Sequence, residues 1–131
     1  FIAQFLNGQS PVINGDGSFS RDFTYIDNVL QMNHLAMITK NSAAINQVFN
    51  TAVGDRTTIK EMAEVIKKGL TNYKKEIAEI PIKFDLKRLG DIPHSKASIE
   101  KAKKLLDYSP THKFEEGIQA SIEWYYNNLK V

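Results

Sequence analysis

Ile13-Asn14-Gly15-Asp16-Gly17-Ser18-Phe19-Ser20-Arg21-Asp22-Phe23-Thr24-Tyr25-Ile26-Asp27-Asn28-Val29 carries several local signals in one stretch. Pro11-Val12-Ile13 enters it as a short extended run. Asn14 to Gly17 is a turn cluster whose two glycines can take positive φ without a steric penalty. Phe23-Thr24-Tyr25-Ile26 is built of strand-forming residues. Asp27 stands where a helix N-cap belongs, ahead of Val29, Leu30, Leu35, Ala36 and Ile38. The stretch therefore predicts strand, glycine turn, strand and helix in close succession.

Upstream, residues 1–6 are apolar at helical spacing and stop at Asn7-Gly8, a helix C-terminal signal. The chain opens on Phe1 without a methionine. That is the expected look of a fragment or a processed product entered partway along a helix. Downstream, Gln47-Val48-Phe49-Asn50 predicts another short strand. Thr57-Thr58 with Glu61 resembles a capping box, in which a threonine oxygen meets free backbone N–H groups and the glutamate reaches back. The following helix should bury Ile59, Met62, Ala63, Ile66 and Leu70. Pro81 to Leu86 alternates like a half-buried strand, and Lys87 to Ala97 reads as a loop. Ser98 is placed to cap a helix carrying Ile99, Ala102, Leu105 and Leu106. The last helix sets Phe114, Ile118, Ile122, Tyr125 and Leu129 on one face, with Trp124, Tyr125 and Tyr126 expected to pack on the core.

The expected fold is α/β: a small helix-rich lobe with short strands, one domain over residues 1–131. No strand is long enough to found a sheet, and two-stranded ribbons are marginal unless packed on something larger. Composition agrees, with 42% apolar and 24% charged residues. The net charge of +2 marks neither an acidic tail nor a nucleic-acid-coating protein. The lysine clusters near 67, 74 and 103 lack interleaved aromatics, so no nucleic-acid partner is expected. The chain has no cysteine, which excludes disulfides, cysteine zinc sites and thiol nucleophiles. No apolar run approaches the roughly 20 residues of a membrane span, and no secretory signal opens the chain. A cytoplasmic protein without a membrane partner is the expectation.

Phosphate-loop, dinucleotide-fingerprint and serine-elbow motifs are all missing from these residues. His34, His94 and His112 lack metal-ligand spacing. His34 reads as a packing or surface residue, His112 as solvated, and His94 stands out for its neighbours. Two loops collect polar groups: Asn14 to Phe23 and Arg88-Leu89-Gly90-Asp91-Ile92-Pro93-His94-Ser95. Each offers one arginine beside glycines and an aspartate. Two guanidinium forks from separate loops suit a pyrophosphate. Equally, Arg21 can pair with Asp22 or Asp16, and Arg88 with Asp85 or Asp91, as ion pairs that merely order the loops.

At these loops the chain resembles the extended short-chain dehydrogenases, the NAD-dependent sugar-nucleotide epimerases and dehydratases. The opening stretch is similar to their "I-x-G-D-G-x-x-x-R-D-F-x-Y-V-D-D" block. Val48 to Gly54, Arg88 to Ser95 with Ser98 to Ala102, and Leu105 to Pro110 with Gly117 and Trp124-Tyr125 resemble the blocks that follow, in the same order. The resemblance covers essentially the whole chain. It implies the C-terminal lobe of a two-domain enzyme, most like a UDP-N-acetylglucosamine/UDP-glucose 4-epimerase. It also implies that Arg21 and Arg88 hold the pyrophosphate, that Asp91 contacts the ribose, and that the backbone near Val12 and Asn14 meets the uracil edge. Asp16, Asp22 and Asp27 would order the loop and cap the helix. Ser95 falls where epimerases restricted to non-acetylated sugars carry a tyrosine, so its small side chain tilts the reading toward 2-acetamido sugars.

The departures are as informative. The family's glycine-rich NAD fingerprint and its Ser/Thr with Tyr-x-x-x-Lys set belong to an N-terminal Rossmann domain that these residues do not include. The resemblance thus implies a parent enzyme that binds NAD and a UDP-sugar and dimerises through that other domain. For the chain alone it implies no catalytic residue, no bound cofactor and no metal. A dehydratase or decarboxylase on a nucleotide sugar, or a non-catalytic binding module, are the alternative expectations.

Overall fold

The computed structural model describes residues 1–129; the last two positions of the expected 1–131 span lie outside it. In chain order the elements are α1 (Ile2–Leu6), β1 (Val12–Asn14), β2 (Ser20–Arg21), α2 (Ile26–Ile38), β3 (Thr57–Thr58), α3 (Ile59–Thr71), β4 (Lys83–Asp85), α4 (Glu100–Leu106) and α5 (Phe114–Asn128), with 3-10 turns at Ser42–Ala44 and Lys75–Glu79. This is the expected helix-rich α/β lobe. Its strands form two small pairs, β1 parallel to β4 and β2 antiparallel to β3.

Two apolar clusters hold the lobe together. The first joins Phe5 and Leu6 of α1, Ile66 and Leu70 of α3, Ile77 of the second 3-10 turn and Ile122 of α5. Each such side chain contributes about 1.5–3 kcal/mol when fully buried. Where α3 meets α5, Gly69 lies against Ile122, whose Cδ1 would have to move aside for an added Cβ. The second cluster gathers Met32 of α2, Ala44, Ala52, Ile99, Ala102, Leu106 and Tyr108. The Tyr108 hydroxyl is buried but satisfied, donating to Ala52 O at 2.8 Å. Burial, and secondarily the Asp22 charge, push that phenol above its usual pKa.

The α3 start follows the sequence reading. Thr58 Oγ1 accepts from Glu61 N at 3.1 Å, and Glu61 Oε2 accepts from Thr58 N at 2.7 Å. The two Thr58 donors, backbone first and hydroxyl second, hold the Glu61 carboxyl below the usual range.

Several local expectations fail. Phe23 to Tyr25 is not a strand: Phe23 packs on Phe114 and Tyr25 on His112, with ring centroids 5.1 and 5.0 Å apart. Strand-forming side chains are used there for packing without a strand partner. The α2 N-cap is Tyr25, which has no side-chain cap bond, so Asp27 lies inside the first turn. Its carboxylate still suits the positive helix end. The buried face of α2 is Asn28 and Met32, while Leu30, Ala36 and Ile38 face outward. Asn28 is fully buried and tied to the chain ahead of α5. Its Oδ1 accepts from Thr111 N, Thr111 Oγ1 and His112 N, and its Nδ2 donates to His112 O at 2.7 Å. His112 is consequently half-buried rather than solvated.

Gln47 to Asn50 forms no strand. Lys101 Nζ takes Gln47 Oε1 and Val48 O instead, and Val48 is 85% exposed. Ser98 caps nothing: α4 starts behind Ile99, and the Ser98 carbonyl accepts from Asn50 Nδ2. β4 is exposed throughout rather than half-buried. Trp124, Tyr125 and Tyr126 lie largely outside the core, Trp124 at 60% exposure. No helix of the described residues is long and apolar enough to cross a membrane.

Candidate functional site

The two polar loops meet along the strand pairs. In the parallel pair, Val12 lies against Lys83, Ile13 against Phe84 and Asn14 against Asp85. Lys83 N donates to Pro11 O and Gly15 N to Asp85 O, both at 2.9 Å. Odd-numbered β1 residues therefore address β4. By the alternation of a parallel ladder, the backbone groups of Val12 and Asn14 address the opposite, open edge.

Beyond Asn14 the first loop is tightly organised. Asp16 Oδ1 accepts from Ser18 Oγ at 2.6 Å and Ser18 N at 2.9 Å. These bonds, the hydroxyl first, hold the Asp16 carboxyl below the usual range. Gly17 sits at φ +81°, and a Cβ there would lie 2.8 Å from Lys60 Cβ. Only glycine lets the loop rest on the start of α3, where Lys60 N donates to Gly17 O and Ile59 N to Phe19 O. Asp22 closes the loop, its two oxygens accepting from Val53 N and Gly54 N at 3.0 Å each.

The second loop runs from β4 to the free side of β2. Ser20 N donates to Pro93 O at 2.9 Å and Ser95 N to Ser20 O at 3.1 Å. Ser20 and His94 form a parallel bridge. β2 thus lies between β3 and the 93–95 segment.

The structure brings the sequence-predicted residues together in pairs that cross between loops. Arg21 Nη2 donates to Asp91 Oδ1 at 2.8 Å, and Nη1 donates to Ser20 O at 2.9 Å and Pro93 O at 3.5 Å. Both members of the ion pair are about one-third exposed. Three of the five guanidinium N–H groups are used, which leaves two for a ligand. Arg88 Nε and Nη2 both lie 3.2 Å from the Asn14 amide oxygen when that oxygen faces the guanidinium. Neither arginine makes the within-loop pairs that the sequence left open. Val12 and Ser95 are both exposed.

Two contributors, Ser20 and Lys87, were missed by sequence reasoning. Ser20 is buried and bonded at every polar atom, yet nothing local distinguishes it from Ser18. Lys87 Nζ stands 4.7 Å from the Phe19 ring centroid, a cation–π contact between the loops. His94 was noticed for its neighbours, and its Nδ1 lies 3.0 Å from Ser20 Oγ.

An open depression of about 840 Å³ borders the first loop at Asp16, Gly17 and Ser18 and includes none of the six expected site residues. It mixes Arg56, Lys60 and Lys113 with Asp55, Glu61, Glu64, Glu115 and Glu116. That mixture gives no sustained positive field for a phosphate. Among the described residues no group of three or more His, Asp or Glu side chains could hold a metal.

The family described as GDP-mannose 4,6 dehydratase matches residues 1–121. A UDP-N-acetylglucosamine 4-epimerase from Methanobrevibacter ruminantium M1, solved with UDP-N-acetylmuramic acid, is 35% identical with a TM-score of 0.80, over 96% of this chain and 37% of that one. A UDP-glucuronic acid 4-epimerase from Bacillus cereus, solved with UDP-glucuronic acid and NAD, is 29% identical with a TM-score of 0.78, over 96% and 38%. A UDP-N-acetyl-alpha-D-glucosaminuronate decarboxylase of Bacillus cytotoxicus is 28% identical over 95% of this chain and 38% of its own length. The chain spans less than two-fifths of these relatives, and the matched part of the solved epimerases is their C-terminal part.

Proposed function

Because the chain belongs to the GDP-mannose 4,6 dehydratase family, we propose that residues 1–131 are the C-terminal sugar-nucleotide-binding domain of an NAD-dependent UDP-hexose 4-epimerase. The favoured reaction is interconversion of UDP-N-acetylglucosamine and UDP-N-acetylgalactosamine, with UDP-glucose and UDP-galactose as further substrates. The observation that carries this reading is the set of contacts between the two arginine-bearing loops. The Arg88–Asn14 contact ties the second loop to β1 at one end, and the Arg21–Asp91 pair with the 93–95 ladder ties it to β2 at the other. Residues far apart in sequence are thereby joined across the two loops, Arg88 with Asn14 and Arg21 with Asp91.

In this reading Arg21 and Arg88 hold the pyrophosphate, whose oxygens match their forked donors. Asp91 keeps one oxygen free of Arg21 for a ribose hydroxyl. The outward backbone groups of Val12 and Asn14 meet the uracil edge. Ser95 leaves space beside the sugar that a larger side chain would fill. NAD is the cofactor of the whole enzyme and supplies hydride exchange at the sugar when bound. The described residues do not fit it: they contain no glycine-rich strand-to-helix turn, and their strands form only pairs. The isolated chain is expected to bind neither NAD nor a UDP-sugar tightly.

The NAD-binding domain is the proposed partner. α2 turns Ile26, Leu30, Met37 and Ile38 outward, each more than half exposed, which is more apolar surface than a lone lobe benefits from showing. Association of the parent as a homodimer through that domain, and a cytoplasmic setting, complete the reading. A decarboxylase on a nucleotide sugar is the second reading, favoured by the Bacillus cytotoxicus relative. The binding half would be the same.

The test is incubation of the full-length enzyme with NAD and UDP-N-acetylglucosamine. Appearance of UDP-N-acetylgalactosamine supports the first reading. Its absence, with carbon dioxide released from a UDP-hexuronic acid, supports the second. Arg21→Ala should raise KM about tenfold or more, because it deletes a charge-assisted fork.

A further inference from the structure

We propose that His94, held by Ser20, is a positioning residue for the sugar end of this site. The inference rests on the sugar-nucleotide reading above and names a residue that the reading leaves unused. Ser20 is 5% exposed. Its N–H donates to Pro93 O, its carbonyl accepts from Ser95 N and Arg21 Nη1, and its Oγ lies 3.0 Å from His94 Nδ1. A serine hydroxyl both donates and accepts, so this contact forms with either imidazole tautomer.

The consequence follows from the bridge. Bridged residues turn their side chains to one face of a ladder, and their neighbours turn to the other. Ser20 and His94 are the bridged pair. Arg21 and Ser95, each one residue on, therefore share the opposite face. One face holds the latch and the other presents the ligand groups. Ser95 has its N–H committed to Ser20, so its place relative to Arg21 is set by how firmly the 93–95 segment lies on β2. Besides the Arg21 guanidinium, which donates to Asp91 Oδ1 and, at 3.5 Å, to Pro93 O, the Ser20–His94 contact is a side-chain bond that fastens it there. Loss of the imidazole frees the segment to shift, and the distance from the pyrophosphate grip to the sugar then varies.

The test uses the full-length enzyme. His94→Ala should raise KM for UDP-N-acetylglucosamine by about five- to tenfold, the worth of one hydrogen bond, with kcat within about twofold because no reacting atom is touched. Ser20→Ala should do the same. The double variant should be no worse than either single one, since both remove one contact. His94→Asn, which keeps a polar group within reach, should recover most of the loss. An unchanged KM in His94→Ala while Arg21→Ala raises it would overturn the latch and leave the site reading standing. Unchanged KM in both would remove the site reading and the latch with it. A fall in kcat and melting temperature that asparagine does not rescue would show His94 to be structural only.

Discussion

The two arginine-bearing loops differ in how they are held. The 14–23 loop is fixed along its length by the Asp16–Ser18 turn, the Gly17 seat on α3, the β2–β3 pair and the Asp22 clasp. The 86–95 loop is fastened at its ends and open between them, with Leu89 fully exposed. One loop is a scaffold and the other a strap laid across it. Their arginines follow suit: Arg21 is braced by a carboxylate and two carbonyls, whereas Arg88 leans on one amide oxygen.

Substitutions can break that contrast. The largest expected effect is at paired glycines. Gly17→Ala needs an alanine at φ +81° and drives its Cβ into Lys60, so it should cost about 3 kcal/mol in urea unfolding. Gly90→Ala has a similar φ of +79° but meets nothing within 4 Å, and about 1 kcal/mol is expected. Equal losses would erase the distinction between scaffold and strap. Next, Asp22→Asn replaces two charge-assisted acceptors with one neutral oxygen and should cost about 2 kcal/mol by the same measurement.

A smaller effect is expected where the first loop lands on α3. Glu61→Gln should cost under about 1 kcal/mol at neutral pH. Because folding depresses the Glu61 carboxyl, its contribution is present above the unfolded-state value and is lost as pH falls through the folded-state value. The glutamine variant should therefore lose less stability than the parent on acidification below the usual carboxylate range. Leu89→Ser should change unfolding by less than about 0.5 kcal/mol. A larger loss there would show the strap to be packed.

The sequence exposed the scaffold better than the strap. Thr58 and Glu61 sit three apart, so their capping box was visible in the letters, as was the α3 face of Ala63, Ile66 and Leu70. The order of short strands around Val12 and Lys83 was also legible. Pairing between distant segments was not. Arg21 meets Asp91, and Asn28 meets Thr111 and His112, across separations that no local pattern encodes. Capping by Asp27 and Ser98 failed for a related reason. Tertiary packing of Tyr25 and the Asn50–Ser98 bond decided where α2 and α4 begin. The six expected site residues were named from resemblance, and their neighbours Ser20 and Lys87 emerged only from the fold.

The β1–β4 pair also bears on the order in which the lobe assembles. Residues 12–14 are made well before residues 83–85, yet each is the other's strand partner. The intervening chain contains α2 and α3, which close their own turns through local contacts. Bringing the ends of so long a loop together is entropically unfavourable until those helices have shortened it. The strand edge proposed to read uracil is therefore a late product of folding, and a nascent chain shows the ligand no half-formed version of it.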